Sequence, residues 1–180
     1  DNMEKIKILT ISDIPLSPSG VGTQTKYMID ALLKTGRYKV ISLGGAIKHP
    51  NHQPIRFEEW GDDWTIFPVD GYGSQEIIRW LWEIENEVRP LTPMVYYHVW
   101  DNYPYPDFNR KFYESNDFIG AISKVTHDIV KTVAPSVKSA YVPHAVNSEI
   151  FKKLPEETVK EFTENSFDDK YDPNKFVFFW

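Results

Sequence analysis

No cysteine occurs in the 180 residues. That excludes disulfides, zinc–thiolate sites and thiol nucleophiles together, and it suits the cytosol, the compartment expected for this chain. Long hydrophobic runs are missing too: none is long enough to cross a bilayer, and the amino terminus lacks the apolar stretch of a signal peptide. Positive charge is in deficit, with 20 Lys and Arg against 26 Asp and Glu, a formal net charge of −6. Nucleic acid is therefore not an expected partner, because phosphate backbones are held by lysines and arginines that displace counterions. Around Trp80 and Trp82, Glu76, Glu83, Glu85 and Glu87 stand against only Arg79 and Arg89. An anionic membrane repels such a segment, so both tryptophans are expected in the core.

Two nucleotide-binding signatures are absent as well. Gly20-Val21-Gly22 lies between a strand and a helix, but Thr25 stands where a dinucleotide fingerprint needs its third glycine. The second strand runs into Gly44-Gly45 rather than the acid that holds a ribose. No Gly-Lys-Ser/Thr triplet follows the loop, which removes the P-loop. No cluster of metal ligands is visible, so no metal and no resident cofactor are expected.

Aromatic residues are plentiful. With 11 Phe, 10 Tyr and 6 Trp in a hydrophobic fraction of 41%, an ordered domain is expected, one that buries roughly two-thirds of its unfolded surface. Ile6 to Ser12 is β-branched and apolar, as in a central strand buried on both faces. Asp13 to Gly22 is a proline- and glycine-bearing loop, Thr23 is the expected N-cap, and Tyr27, Met28, Ala31 and Leu32 repeat at helical spacing up to Gly36. A strand is expected at Tyr38 to Leu43, followed by a surface excursion with His49, Pro50, His52 and Pro54. Ile55 to Trp60 and Trp64 to Val69 are expected as a hairpin or two edge strands. Ile77, Leu81, Ile84 and Val88 mark one face of a helix ended by Pro90. Met94 to Val99, Phe118 to Ile122 and Ser139 to Val142 complete the strands, and Val125, Ile129 and Val133 line a further helix. The fold class is α/β: a Rossmann-like parallel sheet with helices on both faces.

Ligands of such sheets sit outside the carboxyl ends of the strands. That singles out the glycine loop, where Gly20, Val21, Gly22 and Thr23 bring backbone N–H groups and a helix N-terminus to one place. The plain alternative is a tight turn that needs positive φ. His98 ends a strand beside Trp100 and Asp101, and His144 follows Val142-Pro143 at another strand end. His127 is expected on an exposed helix face, and His49 and His52 as solvated loop residues.

Taken together, ILTISDIPLSPSGVGTQTKYMIDALLK resembles the opening of family 4 glycosyltransferases of the GT-B fold. YVPHAVNSEIF is similar to their later segment, at Pro143, Ala145-Val146-Asn147 and Phe151, and SKVTHDIVKT resembles the Ser-led helix before it. The resemblance spans roughly Ile6 to Phe151 and departs at Ala145, Asn147 and the Trp100-Asp101-Asn102-Tyr103 stretch. It implies retaining transfer of a hexose from a nucleotide-sugar donor to a hydroxyl acceptor without a metal, and half of a GT-B fold. Gly20 and Gly22 then lie against the donor phosphates or the acceptor, and His98, with Asp101 beside it, faces the donor sugar. The family's glutamate pair, eight positions apart, is not matched by Glu149/Glu157 or Glu156/Glu164, which lie in a charged linker.

On this basis the expected organisation is an acceptor-side domain over residues 3–151, a linker over 152–175 and the start of a nucleotide-sugar-binding domain at 176–180. Met3 is either the natural start or the chain an excised piece, and the chain alone is expected to be inactive. A branched side chain at Gly22 is expected to fill the ligand site and leave the fold largely intact. The alternative function is a non-catalytic sugar- or partner-binding Rossmann-like module whose Trp100–Tyr105 loop stacks on a ring.

Overall fold

Strands and helices alternate along the chain in the computed structural model, which describes residues 4–45, 53–56, 58–71, 73–167 and 172. β1 (Ile6–Asp13), β2 (Tyr38–Gly45) and β3 (Trp64–Pro68) form one parallel sheet in that order. β4 (Val95–His98), β5 (Phe118–Ala121) and β6 (Ser139–Tyr141) form a second, also parallel. Between the strands run α1 (Gly20–Lys34), α2 (Gly73–Glu83), α3 (Glu85–Val88), α4 (Arg110–Glu114) and α5 (Lys124–Val133). This is the α/β, Rossmann-like class expected. α6 (Glu156–Phe167) belongs to a separate compact unit, Ala145–Trp180, while everything before it forms the unit Asp1–His144. Among the described residues no helix is long and apolar enough to cross a membrane.

Each sheet has its own core. In the first, Ile29 of α1 and Ile14 of the loop pack with Val40, Trp64 and Ile66 from the strands. Polar strand positions are tolerated there because they are mutually satisfied: Thr10 Oγ1 and the Trp64 indole N–H both donate to Ser42 Oγ, at 2.8 and 3.0 Å. In the second, Ile129, Val130 and Val133 of α5 pack on Ile119 and Tyr113. Burying each such aliphatic side chain stabilises by about 1.5–3 kcal/mol. α2 links the halves, lying against β1 and β2 while Trp82 packs on Tyr96 and Phe112 with ring centroids 5.4 and 5.0 Å apart.

Several sequence expectations need correction. β1 is an edge strand of a three-stranded sheet, with Leu9 56% exposed, and the central strands are β2 and β5. Of the hairpin or pair of edge strands expected over residues 55–69, the described residues show one edge strand, β3, and a single bridge in place of the other. Ile55 makes one antiparallel bridge to Ile66, 3₁₀ turns fill Glu58–Asp63, and β3 runs parallel to β2. α1 buries Gly22, Thr25 and Ile29 rather than the face of Tyr27, Met28, Ala31 and Leu32, and it starts four residues earlier than expected, capped by Ser19 rather than Thr23. The α2 pattern is broken at Ile84 (φ −106°, ψ 22°) into α2 and α3. Trp82 is packed as expected, but Trp80 is 57% exposed. His127 is half-buried rather than exposed, and Val125 points outward from α5. His49, Pro50 and His52, and the segment 176–180, lie outside the described residues.

Candidate functional site

At the carboxyl end of β1 the chain turns over the end of β2. Ile14 N–H donates to Gly45 O at 2.8 Å, and Ser17 N–H donates to Ile14 O at 2.9 Å. Gly44 must lack a side chain for this crossing, since a Cβ there meets Ile14 Cα at 2.7 Å. Ser19 then caps α1 in an extended conformation (φ −76°, ψ 156°), its Oγ accepting from Gly22 N–H at 3.0 Å. The same hydroxyl donates to Asp13 Oδ2 at 3.0 Å. A carboxylate is thereby held beside the first turn of α1, where the helix dipole favours negative charge.

The two loop glycines have different reasons. The positive-φ glycines of the described chain are Gly36, Gly61 and Gly71, so neither Gly20 nor Gly22 serves a left-handed turn. Gly22 is buried, and a Cβ on it lies 2.8 Å from Ile14 O and 2.9 Å from Ser17 O. It exists to let α1 approach the loop, and its N–H is taken by the cap. The expectation that a branched side chain at Gly22 spares the fold is therefore corrected: it strikes protein backbone, not a ligand. Around Gly20 a Cβ meets nothing within 4 Å. Val21 is 52% exposed, and Thr23 is already helical, its N–H donating to Ser19 O at 3.0 Å. The open part of the loop is thus Gly20 and Val21, with Asp13 and Ser19 behind it.

His98 is the last residue of β4 and is 2% exposed. Its ring is enclosed by aromatic side chains: Tyr96 at 4.8 Å, Tyr113 at 4.9 Å and Trp100 at 6.5 Å between centroids. Nε2 is 2.6 Å from Tyr113 Oη, while Nδ1 and the neighbouring Trp100 Nε1 are buried without a partner. Burial lowers the His98 pKa to about 4 and raises that of Tyr113 to about 12. At neutral pH both groups of the pair are uncharged. Asp101 and the aromatic loop beyond it, Tyr103 to Tyr105, are exposed. His144 is exposed at the end of β6, its ring 5.6 Å from that of Tyr97, whose hydroxyl donates to Val142 O at 3.0 Å.

Among the described residues no hydrogen bond, ion pair or ring contact joins the glycine loop to His98 or His144, so three separate candidates stand at strand ends. Nor do the described residues gather three or more His, Asp or Glu side chains into a group fit for a metal ion. A recess of about 340 Å³ lies elsewhere, before the starts of β5 and β6, lined by Arg89, Asp117 and Lys138 among others. Arg89 is held there by Glu85 at 2.7 Å and Asp117 at 3.0 Å, a structural ion-pair network joining helix to strand. The recess is at the opposite end of the strands from the carboxyl ends, where ligands of parallel sheets bind.

Asp13, Ser19 and Tyr113 escaped the sequence reading. A serine just before the glycines is an N-cap signal as good as Thr23, and its partner carboxylate six residues back is visible only once the loop folds. Nothing in the sequence ties Tyr113 to His98, fifteen residues away.

The fold defines the class of protein, a Rossmann-like α/β protein with its open loop at a strand's carboxyl end. No family model matches the chain, and no curated protein and no solved structure matches it.

Proposed function

We propose that this Rossmann-like unit forms the acceptor-side wall of a GT-B glycosyltransferase cleft and serves retaining transfer of a hexose from a nucleotide sugar to a hydroxyl acceptor. The observation that carries this is the open first turn of α1 at the carboxyl end of β1: space around Gly20, an exposed Val21, and Asp13 held by Ser19 beside them. A carboxylate already at that helix end favours a neutral hydroxyl there over a second anion, which supports the acceptor rather than the donor phosphates as the neighbour of Gly20. Asp13 accepts a hydrogen bond from such a hydroxyl. The donor nucleotide is then held by a second domain. Exposed Asp101 is assigned to a sugar of the cleft and His144 to its edge, whereas His98, 2% exposed and enclosed by Tyr96, Trp100 and Tyr113, stands behind them as a positioning residue rather than a sugar contact.

The test is acceptor-dependent release of nucleotide from UDP- and GDP-hexoses by the product of the complete gene, beside a Gly20→Val variant. Because nothing lies within 4 Å of a Cβ at Gly20, the variant is expected to fold and to lose transfer. A folded Gly20→Val enzyme with full activity sinks the loop assignment. The 180-residue chain is expected to bind these donors weakly or not at all in calorimetric titration. Micromolar binding or turnover by it overturns the placement of the donor site in another domain. The second function, a non-catalytic binding module, is favoured by one observation, the exposed aromatic loop: Tyr103 is 89% and Phe108 72% exposed.

A further inference from the structure

The loop between β4 and α4 presents rings to solvent on a fixed base. Trp100 and Pro106 turn inward, Trp100 against the α5 core and Pro106 buried outright. Thr126 Oγ1 donates to Trp100 O at 2.9 Å, Asp107 N–H to Tyr105 O at 2.9 Å and Asn109 N–H to Pro106 O at 2.8 Å. Upon this base Tyr103, Tyr105 and Phe108 stand 89, 39 and 72% exposed. They meet other rings edge-on: Tyr103 with Tyr105 at 6.4 Å and 69°, Phe108 with Trp100 at 5.9 Å and 70°. An edge-on pair covers at most one face of either ring, so each ring keeps a face for a ligand. Exposed Asp101 and Asn102 sit next to them in the chain.

We propose that this loop is a stacking platform for a pyranose ring, and that the acceptor is accordingly a glycoside rather than a lipid. The acceptor role rests on the glycosyl-transfer function proposed above. A sugar offers apolar C–H faces to the rings and hydroxyls to planar Asp and Asn side chains, which matches what the loop exposes. A lipid chain calls for aliphatic side chains, and Val99 is the one aliphatic residue between 99 and 108. The Asp101 carboxylate opposes a phosphorylated ligand or an anionic bilayer, while that of Asp107 is paired with Arg110 at 3.6 Å. Because the base is anchored, little ordering entropy is lost on binding, which is how rigid aromatic side chains serve recognition surfaces.

The test needs no donor. Cellotetraose, maltotetraose and chitotetraose are titrated separately into the 180-residue chain, with amide chemical shifts followed by NMR. At least one is expected to shift residues 99–108 saturably, and Tyr103→Ala and Phe108→Ala are each expected to weaken it by about tenfold. Leu91→Ala, an exposed control on another surface, leaves it unchanged. No saturable shift with any of the three, shifts confined to other residues, or p-nitrophenol binding as tightly as the best sugar overturns the proposal. Sugar binding without transfer by the complete gene product refutes the transferase and keeps the platform. Transfer with an acceptor KM indifferent to Tyr103→Ala does the reverse.

Discussion

Replacing Gly22 by alanine tests the packing of the loop against α1. The added Cβ sits 2.8 Å from Ile14 O and 2.9 Å from Ser17 O, whereas close C···O contacts in proteins lie at about 3.3–3.6 Å. Both oxygens belong to backbone that is itself tied down, Ile14 by its N–H to Gly45 O at 2.8 Å and Ser17 by its N–H to Ile14 O at 2.9 Å. Relief therefore moves the loop off the end of β2 or the helix off the loop. Overpacking of this kind costs roughly 1–3 kcal/mol. Alanine in place of glycine in a helix returns about 0.5–1 kcal/mol. The net expectation for Gly22→Ala is a loss of about 1–2 kcal/mol, or roughly 2–8 °C in melting temperature for a domain of this size. Gly20→Ala, with nothing within 4 Å of its Cβ, gains the helix term alone, up to about 1 kcal/mol. Thermal and urea unfolding of the two variants beside the parent decide the matter. Equal stability of Gly22→Ala and Gly20→Ala would refute the steric reasoning.

Three further outcomes follow from the site and its supports. The folded-state pKa of His98 is about 4 against an ordinary 6.5, so the unfolded chain takes up the proton first: stability is complete above pH 6.5 and falls by about 3 kcal/mol as pH drops towards 4. His98→Phe is expected to flatten that acid limb, and a His98 imidazole titrating near 6.5 by NMR in the folded protein contradicts it. His98→Ala, which empties an enclosed ring site, is expected to cost roughly 2–5 kcal/mol in urea unfolding, and an unchanged midpoint would show that the ring does not pack there. Ser123 caps α5, accepting from Thr126 N–H at 3.0 Å, so Ser123→Ala is expected to cost about 1 kcal/mol in urea unfolding, and no loss would show that the cap contributes nothing.

The alternation of strands and helices was legible because each element carries its period in its own residues. Tyr38 to Leu43 and Phe118 to Ile122 read as strands, and the elements there, β2 and β5, are the central ones. β1 reads the same way, yet Leu9 and Ile6 face solvent, because a β-branched run reports local preference and not which neighbours cover it. The glycine loop could be placed from sequence, but the separate purposes of Gly20 and Gly22 could not, since they depend on carbonyls of residues 14 and 17 that only the folded loop brings near. His98 was singled out by its strand-end position, while its enclosure by Trp100 and Tyr113 arises from α4 and the loop before it. In that polar, proline-broken stretch periodicity says little.

The two cores also divide the chain in time. The first sheet uses residues 6–68 and the second residues 95–141, with α2 between them, so neither half needs a strand from the other to complete its hydrogen bonding. As the ribosome delivers the chain, β1, α1, β2 and β3 can assemble before β4 exists, their contacts spanning modest sequence distances that favour fast closure. Docking of Trp82 against Tyr96 and Phe112 then becomes the late event that makes one body of two. Native-state hydrogen exchange in such a protein sorts amides into two families of protection, one for each sheet.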